Sequence, residues 1–237
     1  MKTRNDNLAV APALDDYTER VVQGELWARP DLNPRDRSIV TFAALIAKNQ
    51  SVDMPYYLNR ALDSGVSAAE VSEMITHLAF YSGWANAQSA AAATKSVFAQ
   101  RGITPAQLPP AAVQHLPLDP VAEGTRAASV EKSFGAVSPG LVSYTGRLLF
   151  QDLWLRPALA TRDRSLITVS ALIATGQTAQ ITFHLNKAMD SGLTQREAAE
   201  VLTQLAFISG WPTAFSAAPV FKEVFGARAP LATEEQR

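Results

Sequence analysis

Apolar residues recur along this chain at helical spacing. Ile39, Phe42, Ala43, Ile46 and Ala47 fall on one face of a helix, and Val71, Met74, Ile75, Leu78 and Ala79 form a second clean stripe. No run of alternating apolar and polar residues competes with them, so the pattern predicts an all-α fold. Local signals fix several boundaries. Ser67-Ala-Ala-Glu70 and Thr194-Gln-Arg-Glu197 are capping boxes, each opening a helix. Asn33 can cap a helix that has Pro34 at its first position. Gly65 fits the residue after a helix, where a positive φ is needed. The predicted helices are 14–27, 35–48, 54–64, one opened at Ser67, and one from the Ser82-Gly83-Trp84 hinge to about Gln100. A short helix at 121–134 precedes a second set at 139–154, 162–175, 181–191, 194–209 and 212–225. The polar tail after Ala227 is expected to fray.

The second set repeats the first. Arg35-Asp-Arg-Ser through Tyr81-Ser-Gly-Trp84 reappears as Arg162-Asp-Arg-Ser through Ile208-Ser-Gly-Trp211, always 127 positions later and without a gap. The agreement reaches back to Trp27-Ala-Arg-Pro30 against Trp154-Leu-Arg-Pro157. A period of domain length with two copies indicates a duplicated domain rather than a solenoid. The expected division is a first repeat over 10–102, a linker over 103–136 and a second repeat over 137–229, with the copies packed as an internal dimer. Pro105, Pro109, Pro110, Pro117 and Pro120 keep any helix from crossing 103–120, which reads as a semi-rigid extended strap.

Composition removes several function classes. The net charge of -1 lacks the basic footprint of a nucleic-acid binder. There is no cysteine, so disulfides, thiolate metal sites and thiol catalysis are excluded. No apolar run approaches a membrane span, and Met1-Lys-Thr-Arg-Asn-Asp-Asn7 lacks the apolar core of a secretory signal. The expectation is a cytoplasmic protein with no membrane partner. Three dispersed histidines give no metal-ligand spacing, and no Gly-rich phosphate loop is present, so no cofactor is implied.

Candidate chemistry lies where the copies differ. His184 sits one step off the stripe of Ile181, Leu185, Ala188 and Met189, at the edge of burial. A half-desolvated imidazole there suits a general acid or base, or is simply a satisfied boundary residue. Tyr57 holds this position in the first copy. His77 corresponds to Gln204, and Glu73 one turn earlier suggests an exposed ion pair for it. Trp84 and Trp211 either face a cavity or anchor the core. Arg35, Arg37, Arg162 and Arg164 either pair with Asp36 and Asp163 in a structural network or hold a substrate carboxylate. His115, in the strap, reads as a surface loop residue.

Taken together, Trp-x-Arg-Pro, Arg-Asp-Arg-Ser-(Leu/Ile)-(Ile/Val)-Thr, Phe183-His184-Leu-Asn-Lys-Ala-Met-Asp-Ser-Gly192 and Leu205-Ala-Phe-Ile-Ser-Gly-Trp-Pro212 resemble the carboxymuconolactone decarboxylase family in a tandem form. The resemblance implies two tandem copies of an alkylhydroperoxidase-D-like helical domain packed as a pseudo-dimer. Single-copy members form ring oligomers, often hexamers, so a tandem chain is expected to form a homotrimer. The peroxidase branch places two cysteines where this chain has Gln177 and Gln180, or Gln50 and Asp53 in the first copy, and a relay glutamate where Ser38 and Ser165 stand. Its thiol chemistry is therefore excluded. The decarboxylase branch keeps a histidine at His184. By resemblance, His184 is the proton donor, Gln177 and Gln180 orient the substrate, and Trp211 forms a wall. Gln204, Tyr57, His77, Trp84 and Asp53 are the remaining candidates for binding. The implied function is a cofactor-independent lyase acting on a small carboxylated lactone or enol acid. The alternatives are a non-catalytic small-molecule-binding or scaffold protein on the same fold, or an enzyme of another reaction type.

Overall fold

A computed structural model describes residues 7–228, and every described element is helical or a turn. Arg228, the first residue of the polar tail, closes the last helix; the rest of the tail, with the last position of the expected second repeat, lies outside the described residues. The first repeat contains α1 (Pro12–Tyr17), α2 (Pro34–Ala47), α3 (Met54–Asp63), α4 (Ala68–Ser82) and α5 (Trp84–Gln100). The linker contributes α6 (Pro120–Phe134). The second repeat contains α7 (Pro139–Tyr144), α8 (Thr161–Ala174), α9 (Ile181–Asp190), α10 (Gln195–Ser209) and α11 (Trp211–Arg228). No described helix is long and apolar enough to cross a membrane.

The capping signals act as the sequence predicts. Asn33 Oδ1 accepts the Asp36 backbone N–H at 2.8 Å. Both capping boxes close, Ser67 with Glu70 and Thr194 with Glu197. Gly83 and Gly210 separate α4 from α5 and α10 from α11 with φ of 95° and 100°. These values, with ψ near 150°, lie in a region that only glycine enters without strain.

The predicted helices 14–27 and 139–154 are not continuous. Each begins as α-helix, widens into a π-turn (Thr18–Gln23, Thr145–Phe150) and ends in a 3-10 turn (Leu26–Ala28, Leu153–Leu155). The reason is burial. Leu26 and Trp27, like Leu153 and Trp154, lie in the closing 3-10 turn and are both buried. The changes in helical turn swing the pair into the core.

Helices α2 and α8 form the centre, and every residue from Asp36 to Ala47 and from Asp163 to Ala174 is buried. They pack on each other, while α4 of the first repeat lies on α8 and α10 of the second lies on α2. Each repeat thus covers the other's central helix.

Charged groups sewn across this interface follow the same exchange. Arg35 donates to Asp163 at 2.7 Å and Arg162 to Asp36 at 2.6 Å. Glu73 takes Arg156 and Arg164 from the second repeat, and Glu200 takes Arg29 and Arg37 from the first. Of the two readings open for the Arg-Asp-Arg motif, the structure gives the structural network. It also corrects the reading of His77: neither it nor Glu73 is exposed, and they are not paired. Glu73 was drawn inward by the partner repeat's arginines, which sequence spacing along one helix does not reveal.

The strap runs back over the second repeat. Arg156 donates to the Pro110 and Ala111 carbonyls, and Leu116 N–H donates to the Leu155 carbonyl at 2.7 Å. His115 is exposed and bonds Asp152 at 2.9 Å. Asp119 then caps α6 by accepting the Val121 and Ala122 N–H groups.

Candidate active site

His184 lies in the middle of α9, with Phe183 before it and Lys187 one turn on. It is only 7% exposed. Its ring stacks on Trp154 (centroids 5.8 Å apart, planes 12°) and meets Tyr81 edge-on at 5.2 Å. Phe150 also stacks on this indole, with centroids 6.1 Å apart. The imidazole makes no hydrogen bond with any described residue, and its Nδ1 is buried without a partner. Burial, with repulsion from Lys187, lowers its pKa to about 4. The ring is neutral near pH 7.

Tyr81 and His77 reach this site from α4 of the first repeat. The Trp154 Nε1–H donates to the Tyr81 hydroxyl at 2.9 Å. Burial raises the Tyr81 pKa, so it stays a phenol, and its own hydroxyl hydrogen has no described acceptor. His77 stacks on Tyr81 at 4.8 Å. Its Nε2 is 2.7 Å from Thr168 Oγ1, whose hydrogen goes to the Arg164 carbonyl. The oxygen must therefore accept, so His77 carries its proton on Nε2 and leaves Nδ1 a bare, buried acceptor. Burial above all, then Arg164 and His184, holds His77 well below the ordinary imidazole pKa.

A cavity of about 640 Å³ opens beside these rings. Tyr81, Phe150, Phe183 and His184 form one wall, and α6 lays Arg126, Ser129 and Val130 across the other. Past Phe150 and Phe183, a neighbouring cavity of about 580 Å³ adds Trp154 and Lys187. Lys187 Nζ sits 4.9 Å from the Trp154 ring, and burial lowers its pKa while Asp190 and Glu123 oppose the shift.

The structure brings together two of the sequence candidates here, His184 and His77. It places the others elsewhere. Gln177, Gln180 and Asp53 are exposed, away from the cavity lining. Trp211 is 50% exposed and meets Phe207; Trp84 is likewise exposed and meets Phe80. Gln204 is buried in the network: it accepts from Arg37 at 2.9 Å and donates to Thr41 at 3.0 Å.

Tyr57 marks the equivalent position in the first repeat, and that position is filled. Tyr57 stacks on Trp27 at 6.1 Å, and Arg60 clamps the same indole at 3.5 Å while bonding Gln23. Ile208 stands where Tyr81 does in the other site, so the buried Trp27 Nε1–H has no acceptor. Burial pushes the Tyr57 phenol up to about 12.

Sequence reasoning missed Trp154, Tyr81, Phe150, Lys187 and Arg126. Two of these carried a signal, since Tyr81 against Ile208 and Phe150 against Gln23 are further breaks in the repeat. No group of His, Asp and Glu among the described residues is arranged to hold a metal ion.

Two proteins similar in sequence to this chain are decarboxylases by name. One relative is a 4-carboxymuconolactone decarboxylase of Acinetobacter baylyi, 33% identical over 89 residues, covering 38% of this chain and 66% of that protein. Another is a nitrosuccinic acid decarboxylase of Metarhizium robertsii, 30% identical over 60 residues, 25% of this chain and 42% of that protein. The chain thus spans less than two thirds of the length of either relative. The sequence pattern of the carboxymuconolactone decarboxylase family matches twice, over residues 12–96 and 139–223. With two matches covering most of its length, the chain belongs to the carboxymuconolactone decarboxylase family.

Proposed function

We propose that the protein is a decarboxylase acting on a small carboxylated lactone or enol acid, with His184 as the proton donor. The observation that carries this reading is an imidazole with no internal hydrogen bond, held on an aromatic wall beside a cavity. The two named relatives, both decarboxylases, support the reaction class.

The chemistry follows from the surroundings. The C–C bond to the departing carboxylate breaks, its electron pair stays on the substrate as an extended enolate, and CO2 leaves. One proton must then be delivered to carbon. Free His184, with a pKa of about 4, carries none at neutral pH. A bound anion beside the ring offsets part of the desolvation penalty and raises that pKa. His184 thus takes up a proton as substrate binds, gives it to the enolate, and is neutral again when product leaves. The apolar wall of Leu149, Phe150 and Val130 disfavours a localised carboxylate relative to the spread charge of the enolate.

His184→Ala should abolish CO2 release from a panel of lactone acids, with the assembly unchanged by light scattering. Undiminished turnover would overturn the assignment. A second reading, a binding protein without turnover, is favoured by the filled site at Tyr57, Trp27 and Arg60. Saturable acid binding with no CO2 release across the panel would select it. We also propose a trimer of tandem chains, supported by the exposed Phe80, Trp84, Trp211 and Phe215. Mass measurement at micromolar concentration should give three chains; a monomer would refute it.

A further inference from the structure

We infer that Arg126, on the linker helix, seats a carboxylate of the substrate in the cavity of His184, with the Tyr81 hydroxyl as a second donor. The inference rests on the decarboxylase reading for the word substrate, but its geometry stands apart from that reading. Arg126 lies between the two family-matched segments, so neither repeat's motif could have indicated it.

The guanidinium is held and incompletely used. Its Nε and Nη2 each donate to Glu123 at 2.7 Å, and its Cζ lies 4.2 Å from the centroid of the Phe150 ring. The side chain is 11% exposed. Nη1 is left buried with no partner, and the residue lines the cavity together with His184 and Tyr81. An orphaned buried donor of this kind is costly and is an acceptor's place. Tyr81 adds a second free donor, because its oxygen already accepts from Trp154.

Charge agrees with an anion there. Arg126 holds the Glu123 carboxyl below its ordinary range, with Gln151 and Lys187 helping. Among the residues that line the His184 cavity, Arg126 is the charged one. In the neighbouring cavity Lys187 shares the lining with Asp119, Glu123 and Asp190, of which Asp190 is bound by Arg228 at 2.6 Å. A carboxylate fixed by a guanidinium is one that stays on the molecule, since an ion pair to the departing group would stabilise the ground state and raise the barrier. At the equivalent site of the first repeat the cation is Arg60, spent on Trp27 and Gln23.

Calorimetry with glutarate, and with glutaramide as its uncharged counterpart, tests this on the intact chain. Wild type should bind glutarate at least tenfold more tightly than glutaramide. Arg126→Gln should erase that difference, and Arg126→Lys should restore part of it. Glu123→Gln, which frees the guanidinium, should tighten glutarate several-fold, a gain that a purely structural role for Arg126 does not give. Equal affinity in Arg126→Gln and wild type, or no binding by wild type, overturns the inference. Failure of the decarboxylase reading looks different: CO2 release survives His184→Ala while glutarate binding still depends on Arg126.

Discussion

His184 and His77 are imidazoles kept neutral by burial, and this sets a pH dependence. The pKa of His184 falls from 6.5 unfolded to about 4 folded, and that of His77 also falls well below 6.5. Below about pH 6.5 the unfolded chain therefore binds protons that the folded chain refuses. Stability is full above that value and is lost as pH drops toward 4. For His184 alone the shift is equivalent to ~3 kcal/mol. The urea midpoint should fall between about pH 7 and pH 4.5, and fall less in His184→Asn; equal losses would contradict the argument. Burial pushes the Glu73 carboxyl up, but Arg156 and Arg164 outweigh it and hold it below 4.5, so its loss comes at lower pH. At this scale the sequence was half legible. His184 was found because it breaks both the apolar stripe and the repeat. Its neighbours Tyr81 and Arg126 come from the other repeat and the linker, and no spacing along one helix encodes that approach.

Among the elements, helix starts were readable because their chemistry is local. Ser67 with Glu70 and Thr194 with Glu197 cap as three-residue spacing requires. The π-turns at Thr18–Gln23 and Thr145–Phe150 were not readable, since their cause is the joint burial of a Leu-Trp pair against a distant surface. The α4–α5 and α10–α11 turns rest on one backbone geometry. A Cβ on Gly83 meets nothing within 4 Å, so crowding is not the issue, but its φ of 95° is. Gly83→Ala should cost about 1–3 kcal/mol by denaturant titration, through backbone strain alone. A neutral result would show that the turn relaxes to an ordinary conformation.

For the whole molecule, the crossed arginine–carboxylate pairs tie the two repeats together. Arg164 is fully buried, and Glu73 is among its few partners. Glu73→Ala leaves that guanidinium without its counter-charge and should destabilise the chain by ~3–5 kcal/mol, with Glu200→Ala similar because Arg37 is equally buried. Loss of the exposed Arg20–Asp16 pair should change little. Urea unfolding of the three variants decides; small effects from both glutamates would mean that the repeats are held by apolar packing alone. The two-copy architecture was plain in the sequence, but the exchange of partners between copies was not, because a repeat shows what is alike and not what touches what.

The covalent join between the copies has a further consequence. When two identical chains pair, every inherited change appears on both sides at once, so a pocket can be altered only in duplicate. Here Tyr57, Arg60 and Ile208 occupy one side while His184, Lys187 and Tyr81 occupy the other. Joined in one chain, each half can vary alone. One half could become pure scaffolding while the other kept, or acquired, its chemistry.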